Sequence, residues 1–367
     1  MFFDSVKFWN TFYIITGVTV FLFLFVDFVV IRKILKKPSK RDLASNLIVI
    51  GWFIAIVVHL HASLGNFFFF QTLFDKMLGI SVLALATTGI VLIFKTSITT
   101  NFAQGMLATF GVYVAGIVSM RWAQNTGISS VFQLAMISMI AGAIVAFLMG
   151  VAIDVFIIRK SKYITSIGKQ MITMGLVLVI SGIIPVIFGI DAISVPRISS
   201  RPISFEWIGW NFTVSEHALY GMYISVGLLV VLFTALRFTK WGLGVRATAS
   251  NEIVAGMMGV NTKLITALSW GIAGALGGVA AFMLAQGGTL SAGMMVSTQV
   301  NGFMAAILGG FSSFIGPIVG AFMIPILSNL IFYFSPLWQN AIVYLLVLLI
   351  VLAKPLGLFG KRIAKKV

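Results

Sequence analysis

The sequence predicts an all-α polytopic membrane protein of about eleven transmembrane segments, one of them short or broken, with the N terminus outside and the C terminus inside. Three observations predict it. Of 367 residues, 60% are hydrophobic and only 9% charged, against roughly half apolar and about a quarter charged in soluble domains. The apolar residues gather into runs close to the ~20 residues a helix needs to cross a bilayer. The 25 lysines and arginines lie between those runs rather than on one solvated face. The net charge of +16 therefore reads as a topology signal, and no nucleic-acid partner is expected.

The runs cover residues 11–31, 46–66, 77–94, 102–120, 131–158, 170–190, 218–236, 264–285, 300–308, 315–334 and 337–352. The first meets RKILKKPSKR and lacks the small-residue cleavage pattern of a removed signal peptide, so it reads as a retained span. If the N terminus is outside and the spans alternate, twenty cations fall inside, among them Arg32, Arg41, Lys95, Arg159, Lys169, Arg237, Arg246, Lys263 and Lys354. Outside fall Lys7, Lys76, Arg121, Arg197 and Arg201. That asymmetry is the one expected of a correctly counted chain. Trp9, Trp122, Trp207, Trp210 and Trp338 then sit at outer borders and Trp241 at an inner one, where amphipathic rings favour the headgroup region.

Two stretches are not simple spans. The glycine-rich QGGTLSAGMM, residues 286–295, separates a full run from the half-length run 300–308. Non-helical backbone at membrane depth is tolerated only against protein or a water-filled cavity. The outer loop 191–217, with Glu206, Trp207 and Trp210, has room for a small amphipathic element and is a candidate docking surface for an external partner.

Ionisable groups within the runs are few, and each carries a functional and a structural reading. Asp27 and Asp154 lie about one turn from inner ends, where they can snorkel or pair with cations such as Arg159. His59 and His61, two residues apart, point to different faces and lack a third partner, so no metal site is expected. There is no cysteine, and no Walker A, GxSxG or HExxH pattern; Gly168 and Lys169 in SIGKQ lack the upstream glycine. Neither an enzyme nor a cofactor is expected. Gly271, Gly274 and Gly278 repeat at helical spacing, which fits close helix packing or a pore lining.

The most informative polar segment is KWGLGVRATASNEIVAGMMGVNTK, residues 240–263. Ser250 is a candidate cap, Asn251 and Glu252 fill a first turn, and Gly259 can close a short helix in the left-handed conformation. Ile253 and Met257, four apart with Met258 beside them, form one apolar stripe. Such a helix either takes a protein partner or lies on the lipid surface.

At this segment the chain resembles the permease subunits of branched-chain amino-acid (Liv-type) ABC importers. Arg246, Ala247, Glu252, Ala255, Gly259, Val260 and Asn261 match the family's cytoplasmic loop. TNFAQGMLATFGVYVA, residues 100–115, is similar to its early asparagine-phenylalanine-alanine-histidine-glycine signature. FMAAILGGFSSFIGPIVGAF and LAKPLGLFG resemble its late glycine-glycine and proline-x-glycine-leucine-phenylalanine-glycine motifs. The four fall in family order over about residues 77–360. Gln104 stands where histidine is usual and Met106 where an acid is common, which loosens the tie to the usual substrate. Residues 1–75, with two extra spans and the basic linker, form an N-terminal extension with no counterpart in short-form permeases. The core is 76–367.

The resemblance implies a multi-pass subunit in the cell membrane of a prokaryote. It would pair with a second permease in a homo- or heterodimer, be driven by two cytoplasmic ATP-binding subunits and be fed by an external substrate-binding protein, with membrane lipid around it. Its path for branched-chain amino acids or related small polar solutes is expected near Asn101, Phe102, Gln104 and Gly105, with Gly288 and Ser291 on the opposite side. ATPase coupling is expected at Arg246, Glu252, Ile253, Met257, Gly259 and Asn261. The alternative is an ion-coupled secondary transporter or channel using His59, Asp27 and Asp154. A nonconducting scaffold would fit the extra spans but not the broken glycine-rich segments.

Overall fold

The computed structural model describes Gly51 and residues 66–360, apart from 127–129, 162, 163, 192, 200, 208, 209, 286 and 287. The first two expected spans, with Asp27, His59 and His61, lie outside the described residues except for Gly51 and Asn66. The described chain is mostly helical, and six of its helices are long and apolar enough to cross a membrane.

In chain order the helices are α1 Asn66–Ser97, α2 Gln104–Thr126, α3 Val131–Ile153, α4 Ser166–Phe188, α5 Glu216–Phe238, α6 Lys240–Ser250, α7 Glu252–Met257, α8 Thr262–Ala285, α9 Val296–Gly309, α10 Gly316–Phe334 and α11 Gln339–Ala353. Two strands, β1 Pro202–Trp207 and β2 Trp210–Ser215, pair antiparallel between α4 and α5. The sequence left the form of that outer loop open, and a hairpin fills it. Ile203, Phe205, Phe212 and Val214 alternate onto one face, as strand periodicity requires. Phe74 of α1 packs against both Phe205 and Phe212. Gln71 fixes the other edge by donating to the Thr213 carbonyl and accepting from the Thr213 N–H.

The centre is built from α1, α2 and α8, which contribute Leu85, Ile90, Leu107, Trp270, Phe282 and Met283, all under 2% exposed. Lipid offers no hydrophobic drive between helices, so close backbone approach must supply the packing energy. Glycine makes it possible where α3 crosses α8. A Cβ at Gly150 would run into the Trp270 carbonyl, one at Gly274 into the Ala146 carbonyl, and one at Gly278 into Ala143 and Ala146. The glycine face of α8 is thus packed against α3, while Gly277 turns toward Gln104 and Ala108 of α2.

α4 touches the rest mainly through α2 and exposes Met171, Met174, Leu178, Val179, Val186 and Ile187. α9, with 14 residues, is about 21 Å long, short of the ~30 Å hydrocarbon thickness. Irregular backbone precedes it, from residue 288 to Met295. Ile193 accepts from the Leu290 N–H at 2.8 Å, Leu290 lies beside Gly116, and the Met295 carbonyl reaches Gly105. The glycine-rich stretch therefore runs along α2 against protein. At its other end α9 turns through Gly310, at φ +94°. There the C-terminal segment closes on it, with the N–H groups of Leu358 and Phe359 donating to the carbonyls of Leu308 and Gly309 at 2.8 and 3.0 Å.

Candidate functional site

Two breaks in the helical backbone meet beside Gly105. The first is the stretch 98–103 between α1 and α2, where Ile98 takes a positive φ of 49°. Asn101 orders it: its Oδ1 accepts from the Ala103 N–H at 2.9 Å and its amide donates to Gln104 Oε1 at 3.2 Å. Gln104 in turn donates to the Ala273 carbonyl of α8 at 2.5 Å. The second break ends at Met295, and Gln299 of α9 joins the two. Its Oε1 accepts from the Gly105 N–H at 2.7 Å, its amide donates to the Phe102 carbonyl, and the Phe102 and Phe303 rings pack at a tilt with centroids 5.2 Å apart.

Between these groups lies a narrow cleft with room for little more than a water molecule, lined by Ala86, Ile90, Gln104, Gly105, Ala108, Gly277, Met295 and Gln299. Its exposed walls are apolar, because the two glutamine amides spend their bonds on backbone and on Asn101. Asn101 and Gln104 are buried, whereas Gly288 and Ser291 are exposed and lie further along α2, toward Gly116. The structure thus brings Gln104 and Gly105 to Met295 and Gln299, and does not bring Gly288 and Ser291 to them. Gln299 escaped the sequence reading because it falls just before the run that starts at residue 300. An amide beside an apolar stretch, the argument applied to Gln104, would have found it.

The second candidate element is α7. Asn251, not Ser250, caps it: the Asn251 Oδ1 accepts from the N–H groups of Ile253 and Val254 at 3.0 and 3.1 Å, while Ser250 closes α6. At the far end Gly259 adopts φ +87° and the Val260 N–H returns to the Ala255 carbonyl at 3.0 Å, a Schellman closure. Ala255 alone is buried, and Ile253 and Met257 are 76% and 82% exposed, with Met258 beside them. Glu252 is exposed as well. Arg246 and Asn261 have local duties. The Arg246 guanidinium donates to the last carbonyls of α5, at Leu236 and Arg237, and the Asn261 Oδ1 accepts from the Leu264 N–H to cap α8.

Asp154, which an ion-coupled mechanism would need free, is 2% exposed and ion-paired to Arg159 at 2.9 Å. Among the described residues no cluster of His, Asp and Glu could hold a metal ion.

The described chain is thus a bundle with six helices apolar enough to cross a membrane, broken segments at its centre and a short capped helix exposed beside it. The family model described as "Branched-chain amino acid transport system / permease component" matches residues 72–352, and the chain belongs to that family, the Liv-type permeases of ABC importers. It is 24% identical over 307 residues to the high-affinity branched-chain amino acid transport system permease protein LivH of Salmonella typhimurium, covering 82% of this chain and 98% of that one. BraD of Pseudomonas aeruginosa, a permease protein of the same kind of system, is 26% identical over 78% of this chain and 94% of its own. A probable LivH of Methanocaldococcus jannaschii is 26% identical over 69% and 78%. No solved structure matches the chain. The relatives are transporters rather than enzymes, and the family works with ATP-binding and substrate-binding partners.

Proposed function

We propose that the chain forms the translocation path of an importer for leucine, isoleucine and valine or a related small polar solute. Two separate ATPase subunits drive it, a second permease chain completes it and an external binding protein loads it. Eleven spans with the N terminus outside and the C terminus inside accompany this reading, with residues 1–75 as an extension on a core of 76–367. The observation that carries it is α7, a helix capped at both ends whose exposed stripe of Ile253 and Met257 leaves an apolar surface for a partner. The partner ATPase would cover that stripe and place a cation opposite Glu252. Gly259 and Asn261 would carry its movement into α8, and Arg246 would hold the preceding turn to α5.

Glu252→Lys tests the assignment. We expect co-purification of the ATPase to fall about tenfold, equivalent to ~1.4 kcal/mol, and uptake to fall with it while membrane insertion stays normal. A helix lying on lipid behaves oppositely, since an added cation strengthens attraction to anionic headgroups. Wild-type levels of bound ATPase and of uptake in this variant would refute the coupling role.

The path is proposed to pass Asn101, Phe102, Gln104 and Gly105, with the stretch holding Gly288 and Ser291 forming its outer wall. Cysteines placed at 101 and 104 should be protected at rest, where both side chains are buried, and react with a water-soluble thiol reagent during turnover. Protection under all conditions would leave these residues as packing only.

A further inference from the structure

The inner end of α3 is not a plain helix end. Its last turn, Asp154–Ile158, is π-helical, a form that appears mostly as single-turn bulges. The Arg159 N–H reaches back five residues to the Asp154 carbonyl at 2.8 Å, which draws the two side chains together. Arg159 Nη2 lies 2.9 Å from Asp154 Oδ2. The same nitrogen donates to the Lys263 carbonyl at 2.8 Å. The Thr266 hydroxyl stands 3.4 Å from Asp154 Oδ2 and 3.1 Å from the Lys263 carbonyl. Lys263 and Thr266 form the first turn of α8, directly after the Gly259 turn that ends α7.

Holding α3 to α8 does not call for this cluster, because the crossing at Gly150, Gly271, Gly274 and Gly278 already does so along most of both helices. Replacing a buried ion pair by apolar side chains is often neutral or stabilising. Its position, at the turn through which α7 runs directly into α8, points to a mechanical use. The N–H groups of a first turn have no partners within their own helix, so that turn is where α8 would yield to a push from α7.

We propose that Arg159 and Asp154 are positioning residues that bolt the first turn of α8 to the π turn of α3, so that displacement of α7 moves α3 and α8 as one body. The assignment rests on α7 being the ATPase contact. The connection is short and tied. Val260 bonds back to α7, Asn261 caps α8 and Arg159 grips Lys263 two residues later. Movement of α8 then reaches Gln104, which donates to the Ala273 carbonyl, and so the edge of the cleft.

The chain has no cysteine, so spin labels go only where they are introduced. Phe156→Cys in the π turn and Leu264→Cys in α8 are both at exposed positions, 64% and 54%. In the complete importer the distance between the two labels should be narrow and unchanged when ATP and vanadate are added. Adding Arg159→Ala should broaden or shift it on nucleotide addition, and Arg159→Lys, which keeps a donor, should restore it. In proteoliposomes Arg159→Ala should lower labelled leucine taken up per ATP hydrolysed by about tenfold, with abundance and bound ATPase unchanged.

A nucleotide-dependent distance in the otherwise native joint would overturn the proposal. So would a wild-type uptake ratio in Arg159→Ala, or a loss of abundance at an unchanged ratio, which marks a purely structural pair. If distances behave as expected but the native importer takes up no leucine, the substrate reading fails and the joint stands. Failure of the ATPases to bind the native chain would remove both.

Discussion

Gln299 uses both ends of its amide on backbone, accepting from the Gly105 N–H and donating to the Phe102 carbonyl. It thereby satisfies two groups that a broken helix leaves open at membrane depth, where no water is at hand. Gln299→Leu keeps the volume and removes both bonds, and each stranded group costs about 1–3 kcal/mol. The purified variant should melt several degrees below the native protein, and an unchanged Tm would mean that the two breaks are held by other contacts. The sequence exposed part of this arrangement. Asn101 and Gln104 stood out because amides in an apolar run must find partners, and they find each other. What it could not show was that Gln104 would reach the Ala273 carbonyl and Gln299 the Phe102 carbonyl, since α8 and α9 come to these residues only through the packing of the fold. The cap of α7 moved by one residue because a preceding helix, α6, runs right up to it. Ser250 and Asn251 are both good capping types, but Ser250 is still the last helical residue of α6, and Asn251 has the extended backbone that a cap requires.

At the scale of elements, the glycines of α8 divide by what they face. A side chain at Gly274 would strike backbone of α3, whereas Gly175 and Gly182 on α4 have nothing within 4 Å. Gly274→Ile should therefore sharply lower the amount of folded protein, beyond the ~1–3 kcal/mol typical of overpacking, because backbone cannot step aside. Gly175→Ala and Gly182→Ala should leave it unchanged; membrane abundance and thermal melting in detergent read both. The spacing of these glycines was visible beforehand, but spacing alone does not say whether a small-residue face meets a helix or a pore. α6 was not expected. Gly242 and Gly244 are poor helix formers, and the helix exists because those glycines fit against the Leu236 carbonyl and Ile265. Tertiary contact, not propensity, decides it. The hairpin was hidden differently: its tryptophans read as interface anchors, while the alternation of Ile203, Phe205 and Val214 is a strand signal that short length obscured.

Across the whole molecule, contacts sort the connecting segments to two ends. At one, Lys95 donates to the Ser312 carbonyl, Arg159 to Lys263, Ser166 to Ile98, and Arg246 to Leu236. At the other, Gln71 meets the hairpin and His217 meets the Met283 carbonyl. The cation-rich segments thus share an end, as the positive-inside rule expects of a common cytoplasmic face. Tags inserted in the hairpin should be reached from outside intact cells, and tags near Lys160 only after permeabilisation. Labelling of both from outside would mean that the span count is wrong. The pairing of Leu358 and Phe359 with the end of α9 bears on how the chain is made. The carbonyls of Leu308 and Gly309 leave the ribosome before α10 and α11, yet their partners emerge only after both. Until then this end of α9 is unfinished: Gly309 and Gly316 can close against each other, but Gly310, which packs against Leu356 and Gly360, has nothing to close against on that side. This end of the bundle can therefore close only once residues 358 and 359 have been made, and a nascent chain stalled before residue 358 would hold its helices without that seal.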